Sequence, residues 1–337
     1  MTEKIAVLGT GGTGSVIGGM LTRAGHDTTL IDQWVAHVEA MKTHGLQVSL
    51  REEEFRVPVR AYHLYEVCTL HQQFDIVFLA CKSYDTRWMV QFIEPYLKPS
   101  GVLVSAQNSL NDEWIAPIIG YTRDIACVLT MSSEVFEPGH VKRNTAMDHT
   151  TFTLGELHGR ITPRLQELQQ ILSAAGKTEL STNVWGRRWS KLIFNSLVAP
   201  VCAITGVGPA HLTQDPRRVQ VCLKLGQETL QVGQALGYSL EPVFGVSIEE
   251  MLASPEGLLD RMNRAATTEG VEARSFLHQD ILKGRRTEVE YINGLVAQKG
   301  REAGIPTPVN ETATELVKAV ERGDLHPDPK NIARLEG

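Results

Sequence analysis

The residues whose chemistry stands out lie in Trp189-Ser190-Lys191-Leu192-Ile193-Phe194-Asn195-Ser196-Leu197-Val198-Ala199. Lys191 and Asn195 are four residues apart, so on a helix they share one face. Their neighbours Leu192, Ile193, Phe194 and Leu197 are apolar. A lysine inside such a run either snorkels to water or is held in a cleft. In a cleft, desolvation disfavours the ammonium and turns the lysine into a general acid near neutral pH. Carbonyl reduction needs that role, because hydride reaches carbon while a proton reaches the developing alkoxide. A second polar group is Arg286-Thr287-Glu288-Val289-Glu290-Tyr291-Ile292-Asn293-Gly294. Glu288 and Glu290 sit where a loop enters an apolar helix, and a helix N-terminus favours carboxylates there. Pairing of one of them with Lys191 is the alternative role.

The strongest motif is Leu8-Gly9-Thr10-Gly11-Gly12-Thr13-Gly14, a G-x-G-x-x-G that follows a strand and opens a helix. That context is what a dinucleotide-binding fingerprint requires. Gly9 permits the tight turn, Gly11 the approach of a pyrophosphate and Gly14 close packing of the helix on the sheet. The helix N-terminus offers N–H groups and a positive dipole end to phosphates. Gly9, Thr10, Gly11, Gly12, Thr13 and Gly14 are therefore the expected cofactor-binding loop. Asp32 ends the second strand about 20 residues on, where a carboxylate bonds the ribose 2′-hydroxyl and repels a 2′-phosphate. No Arg or Lys follows in Gln33-Trp34-Val35. NAD is therefore expected over NADP; capping of the next helix is the simpler role for Asp32.

These groups need a scaffold, and the first half of the chain supplies alternating signals. Strands are expected at 5–8, 28–31, 75–80, 101–106 and 124–131, with helices at 15–24 and 35–44. Segments 46–50 and 55–60 read as exposed strands, and 135–143 and 151–156 as paired edge strands. Such alternation predicts a doubly wound parallel sheet. Pro163–Ala175 is amphipathic, with proline in its first turn. Beyond Asn183 the chain reads as helices at 184–200, 217–236, 269–283, 290–303 and 310–322, followed by a polar surface arm after Gly323. The fold class is thus α/β plus all-α. A Rossmann-type dinucleotide-binding domain spans 1–180, and a helical substrate and dimerisation domain spans 181–337.

Composition narrows the function. The chain has 337 residues, 42% hydrophobic and 21% charged, with a net charge of −6. That is a globular composition, and the acidic balance disfavours nucleic acid as a partner. Five scattered cysteines without a C-x-x-C pair fit a reducing compartment and no zinc site. The 11 histidines show no H-x-x-x-H or H-E-x-x-H spacing, so no metal is expected; His149 and His158 read as surface residues. No segment is long and apolar enough to span a bilayer, and Ile5–Leu8 is too short a run for a signal peptide. A cytoplasmic protein without a membrane partner is the expectation.

The sequence resembles the ketopantoate reductase family of two-domain NAD(P)-dependent oxidoreductases along nearly its whole length. The resemblance rests on the glycine fingerprint, Ala80-Cys81-Lys82, Ala106-Gln107-Asn108, the Lys191-xxx-Asn195 helix, Thr287–Gly294 and Gly304-Ile305-Pro306-Thr307-Pro308. It implies a Rossmann domain and a helical domain with the active site in the cleft between them. It implies Lys191 as the general acid, Asn195 as a substrate ligand and Glu288 as the acid that helps orient the lysine and the substrate. Lys82 and Asn108 match residues near cofactor and substrate, at the carboxyl ends of strands. The implied substrate is a small 2-oxo or 2-hydroxy acid and the implied assembly a homodimer.

Four positions depart from the family pattern. Asp32 stands where a basic residue usually follows the second strand. Ala199 replaces a second asparagine. Phe276 falls where a substrate-binding serine is expected, with Ser275 one residue away. Ser109 follows Asn108 in place of a glycine. The lysine and the cofactor loop are thus kept while the grip on ketopantoate is altered, and Arg274 is a candidate for a replacement carboxylate contact. The alternatives are an NAD-dependent dehydrogenase of a different hydroxy acid in catabolism, and a dinucleotide sensor without turnover.

Overall fold

The computed structural model describes residues 3–243, 246–253 and 274–336. The chain divides into two units, Met1–Val184 and Trp185–Gly337. In the first strand, β1 (Lys4–Leu8), Ile5 and Val7 join one apolar cluster while Ala6 and Leu8 join another. This two-sided burial is what a central strand covered on both faces requires.

Around β1 an eight-stranded sheet forms from β2 (Asp27–Asp32), β5 (Arg60–His63), β6 (Phe74–Leu79), β7 (Leu97–Ala106), β8 (Asp124–Leu129), β11 (Thr150–Glu156) and β12 (Lys177–Leu180), in the order β12-β11-β8-β7-β6-β1-β2-β5. All neighbours run parallel except β11 against β8. One face is covered by α1 (Gly12–Arg23), α2 (Val35–His44) and α5 (Pro163–Ser173), through Val16, Ile17, Val38, Met41, Leu165 and Leu168. The other is covered by α3 (Thr86–Ile93) and α4 (Asp112–Ile119), through Met89, Val90, Ile93, Ile115 and Ile119. The chain leaves β1 on one side for β2 and returns on the other side for β6. The crevice beyond their carboxyl ends is therefore the topological switch point, where open α/β sheets bind ligands.

Several expected strands pair differently. Segments 46–50 and 55–60 are not simply exposed. They give β3 (Leu46–Ser49) and β4 (Glu54–Val57), two strands of a small sheet, β4-β3-β10-β9, with β9 (Ser133–Glu134) and β10 (His140–Arg143). Leu46, Val48 and Val57 are buried, and Gly18 and Gly19 let α1 approach Leu30, Leu46 and Val48 closely. Segment 135–143 does not pair with 151–156. Its β10 end runs parallel to β3, while β11 joins the main sheet as an inner strand. The edge belongs to β12, whose sequence Lys-Thr-Glu-Leu lacks the apolar run that would mark it.

In the second unit, α6 (Val184–Thr205) and α7 (Pro216–Ala235) are the long helices. They are followed by α8 (Ile248–Ala253), α9 (Phe276–Leu282), α10 (Asn293–Ala303) and α11 (Pro308–Arg322). The start of the expected helix at 269–283 lies outside the described residues. Pro200 does not end α6; the helix runs one turn further. The expected helix from Glu290 is broken: a 3₁₀ turn at Val289–Tyr291 precedes Ile292, whose φ of −111° and ψ of −89° separate it from α10. The tail after Gly323 is docked and not a free arm. Ile332 and Leu335 are buried in a 3₁₀ segment, and Asn331 donates to the Ile204 carbonyl at 3.1 Å, so the end of α6 is capped from the far end of the chain.

Arg143 is the buried cation that holds the first unit's loops. Its guanidinium donates to the carbonyls of Thr145 (2.8 Å), Ala175 (2.5 Å) and Ala146 (3.3 Å) and to Thr151 Oγ1 (2.8 Å). Burial lowers its pKa to about 10, so it stays charged at neutral pH. Arg143→Leu strands those acceptors and is expected to cost about 3 kcal/mol or more. Urea unfolding followed by circular dichroism checks this, and a loss below about 0.5 kcal/mol would contradict it.

Candidate active site

The glycine loop is shaped by contacts within a few ångströms. Gly9 has φ +91°, and a Cβ there would stand 2.6 Å from the Cys81 nitrogen. A Cβ on Gly14 would lie 1.9 Å from the Gly9 carbonyl oxygen. These two glycines press α1 against the carboxyl ends of β1 and β6. A Cβ on Gly12 would come within 2.7 Å of Ser133 Oγ, so this intervening position is dictated by β9, which the motif alone does not show. Gly11 alone among the four faces open space. It caps α1, whose first turn contains no acidic residue. The amides of that turn lack intrahelical acceptors and form an anion-binding end.

Asp32 is nearly buried at the end of β2. Its Oδ2 accepts from both the amide and, at 2.9 Å, the hydroxyl of Thr10, and its Oδ1 accepts from the Trp34 amide at 2.7 Å. One carboxylate thus ties the glycine loop to β2 and holds the Trp34 amide just ahead of α2; the N-cap of that helix is Trp34, so Asp32 does not take the capping role expected as its simpler one. Thr10 is turned inward, so Gly11, Gly12 and Thr13 are the loop's more outward residues. Thr10 also accepts at its carbonyl from Ser15 Oγ (2.6 Å), and Ser15 Oγ lies 3.2 Å from His37 Nε2. His37 is fully buried, a role the sequence reading missed because helix periodicity does not tell one buried polar side chain from another.

Lys82 and Asn108 follow β6 and β7 and are both half-buried. Gln107, between Ala106 and Asn108, donates to the Cys81 carbonyl (2.8 Å) and to Thr86 Oγ1 (2.9 Å), lacing the two loops together. Asn111 donates to the Asn108 carbonyl at 3.1 Å. Ser109 has φ +72°, a left-handed conformation that favours glycine, held here without one. The structure therefore gathers Gly9–Gly14, Asp32, Lys82 and Asn108 at the carboxyl ends of β2, β1, β6 and β7.

The second unit holds Lys191, Asn195 and Glu288. Lys191 is half-buried on α6, its Nζ 4.3 Å from the centre of the Phe194 ring. Loss of water around the ammonium pulls its pKa from 10.5 to about 7. Asn195 and Glu288 are buried. Glu290 is engaged elsewhere, with Arg286 (2.8 Å) and Lys318 (3.1 Å), which hold its carboxyl below the usual range.

Pro200 explains how the Glu288 segment is fixed. Proline has no N–H, so the Ser196 carbonyl four residues back loses its helical donor. Asn293 Nδ2 supplies the missing hydrogen bond at 3.0 Å. Asn293 also donates to Asn310 Oδ1 (2.9 Å), and Asn310 donates to Glu228 Oε2 (2.7 Å). The latch ties the segment after Glu288 to α6, one residue beyond Asn195. A proline inside an apolar helix is the sequence signal that could have revealed it.

The positions that depart from the family pattern are resolved by side-chain contacts. Ser275 caps α9, accepting from the His278 amide at 3.3 Å, and its hydroxyl donates to the Ala199 carbonyl at 3.5 Å. It also bonds the buried Cys202 thiol, whose pKa burial pushes up to about 12. Ser275 thus meets α6 through its hydroxyl. Arg274 is half-buried beside it, and its carbonyl accepts from Gln279 at 3.3 Å. Among the described residues no cluster of His, Cys, Asp or Glu is arranged to hold a metal.

Comparisons with known proteins follow the same division. The family model described as "Ketopantoate reductase PanE/ApbA" matches residues 5–159, and "Ketopantoate reductase PanE/ApbA C terminal" matches residues 183–321. A 2-dehydropantoate 2-reductase of Archaeoglobus fulgidus is 30% identical over 95% of this chain and 99% of its own. That of Aquifex aeolicus is 27% identical over 96% and 99%. A solved ketopantoate reductase of this family from Ralstonia eutropha superposes with a TM-score of 0.79 at 27% identity, over 95% of this chain and 99% of that one. A ternary structure of D-mandelate dehydrogenase with NADH and anilino(oxo)acetate gives 0.82 at 25% identity, over 95% and 99%. A Rossmann-type glycine loop, a lysine-bearing helix and matches to both family models, which together take in most of the chain, converge: the chain belongs to the ketopantoate reductase family of oxidoreductases acting on CH–OH groups.

Proposed function

We propose that the protein interconverts a 2-oxo acid and its 2-hydroxy acid, with NAD(H) favoured and Lys191 as the proton donor and acceptor. The observation that carries this reading is a lysine whose pKa is near 7, four residues from a buried asparagine. An ordinary lysine stays fully charged at neutral pH. This one can both give and take a proton there.

The cofactor loop fits a dinucleotide. Gly11 opens onto free space at a helix N-terminus without acids, and Gly12, Thr13 and Gly14 offer first-turn amides to phosphates. Asp32 would take a ribose hydroxyl in addition to its Thr10 and Trp34 bonds, since its oxygens have further acceptor capacity. When bound, the nicotinamide supplies hydride to the oxo carbon or takes it from the hydroxy acid. In the reducing direction Lys191 gives a proton to the developing alkoxide, and in the oxidising direction it removes one from the hydroxyl. Asn195 orients the reacting oxygen beside it, and Glu288 positions the lysine. Lys82 and Asn108 belong to the cofactor end of the same reading.

The substrate remains a class. Ala199 removes a hydrogen-bonding side chain from the turn beyond Asn195, and Phe276 puts an aromatic ring next to Ser275. Both favour a 2-oxo acid with a less polar substituent than ketopantoate carries. The D-mandelate dehydrogenase relative, solved with NADH, supports both halves of this reading. By analogy with the family, the reading includes a homodimer in the cytoplasm.

The decisive assay follows reduced-nicotinamide absorbance with ketopantoate and a panel of 2-oxo and 2-hydroxy acids. NADH is expected to exceed NADPH in kcat/KM by about tenfold or more, through repulsion between Asp32 and a 2′-phosphate. A clear NADPH preference with ketopantoate would overturn both the cofactor and the substrate reading. Because Lys191 must be protonated to reduce, kcat/KM for reduction falls as pH rises through about 7, and that for oxidation rises over the same range. Lys191→Ala is expected to lose at least about 10²-fold in turnover while still binding NADH; unchanged turnover excludes Lys191 as the acid.

The same lysine has a stability consequence. Unfolded, it binds its proton up to about pH 10.5; folded, only up to about pH 7. The native state therefore binds fewer protons between these values, and its stability rises with pH across that window. Below pH 7 the full penalty of a charged, desolvated ammonium applies. Lys191→Met should therefore raise the urea midpoint most below pH 7, with the gain fading towards pH 10.5. A gain that does not vary with pH would exclude the desolvated ammonium as its source.

A further inference from the structure

We infer that His37 is a positioning residue for cofactor binding, acting through Ser15 on the glycine loop. This rests on the loop being the dinucleotide site, as proposed above. His37 lies on α2, outside the fingerprint, and is fully buried. Its Nδ1 accepts from the Gly139 amide at 2.9 Å, in the turn that leads into β10. A ring nitrogen that accepts an N–H carries no proton, so the neutral ring holds its proton on Nε2. Nε2 therefore donates to Ser15 Oγ at 3.2 Å, and Ser15 Oγ has its own proton left for the Thr10 carbonyl, 2.6 Å away. The direction of the whole relay follows from one backbone contact: Gly139 amide to His37, His37 to Ser15, Ser15 to Thr10.

The relay ends on the residue that Asp32 holds from the other side. Thr10 gives its amide and hydroxyl to Asp32 and takes a hydrogen bond at its carbonyl from Ser15. Trp34, whose amide is held by Asp32, stacks on the His37 ring with centroids 5.2 Å apart. Thr10 is thus fixed at all three of its polar groups, and the outward position of Gly11, Gly12 and Thr13 follows. Without the Ser15 arm the loop must be ordered at the moment of binding, and that ordering is subtracted from affinity. The chemical step, which uses Lys191, is untouched.

Two isosteres separate this role from a merely structural one. Asparagine places its amide where Nδ1 stands and keeps the Gly139 contact. Glutamine reaches the position of Nε2 and keeps the Ser15 contact. The experiment measures NADH dissociation constants by fluorescence, and kcat at saturating NADH, for His37→Gln, His37→Asn, Ser15→Ala and the unaltered protein, with melting curves for each. Loss of one buried hydrogen bond in the relay is expected to weaken NADH binding about tenfold in His37→Asn and Ser15→Ala. His37→Gln should stay within about threefold of the unaltered protein, and all three variants should keep kcat. Combining Ser15→Ala with His37→Asn should add little, since both break one path. Equal NADH affinity in His37→Asn and the unaltered protein, or weaker binding by His37→Gln than by His37→Asn, overturns the inference. Failure of the unaltered protein to bind NADH or NADPH overturns instead the dinucleotide reading beneath it.

Discussion

The first unit depends on one close approach. The carbonyl oxygen of Gly9 lies where a single methyl group on Gly14 would meet it at 1.9 Å. Only glycine at both ends lets the chain turn out of β1 and start α1 within five residues, while the segment leaving β6 passes at Ala80 and Cys81. Everything at the switch point inherits its position from this approach. The open face of Gly11, the inward turn of Thr10 and the placement of Lys82 after Cys81 all follow. The approach also forces α1 onto the small sheet, where Gly18 and Gly19 continue the same tolerance for close contact.

The second unit is organised by the opposite problem, backbone and charge left without partners in an apolar interior. Pro200 strands the Ser196 carbonyl, and a side chain nearly a hundred residues away in sequence fills the gap. Asn293, Asn310 and Glu228 then form a buried chain of hydrogen bonds that leads from the Ser196 carbonyl to the Glu228 carboxylate. Such a network rigidifies when satisfied and is costly when broken. Lys191 departs from this economy. Its ammonium leans on an aromatic ring and bears a large desolvation penalty. A fold that satisfies the Ser196 carbonyl from so far away, yet keeps a lysine near neutrality, concentrates its instability on the group proposed to transfer the proton.

The parts legible in the sequence were those with a period or a motif. Buried strands such as Ile5–Leu8 and Asp75–Ala80, the glycine loop and the all-helical second half announce themselves through apolar runs and spacing. What escaped detection depends on partners distant along the chain. β12 is polar and becomes a strand only because β11 offers it an edge. The pairing of β10 with β3 joins segments about ninety residues apart, and no local pattern encodes it. Ser275 begins α9 as its cap, a role that counting along the sequence cannot see. His37 was invisible for the same reason: its importance lies in Gly139 and Ser15, not in its neighbours.

Asp32 shows how structure changes the meaning of a motif residue. From sequence it is a choice between two functions, recognition of a ribose or capping of a helix. In the fold its carboxylate receives the Thr10 amide, the Thr10 hydroxyl and the Trp34 amide at once. These bonds to a charged acceptor are the stronger kind, and they hold the loop that would cradle the phosphates. The selectivity against a 2′-phosphate proposed for Asp32 and the integrity of the loop would therefore reside in one group. An alanine at position 32 would remove both, and weak binding of either dinucleotide by such a variant would say nothing about selectivity. An asparagine keeps an acceptor but loses the charge that repels phosphate. The cofactor preference of this protein is therefore properly read from the unaltered chain, and the asparagine variant separates the electrostatic part of the preference from the architectural one.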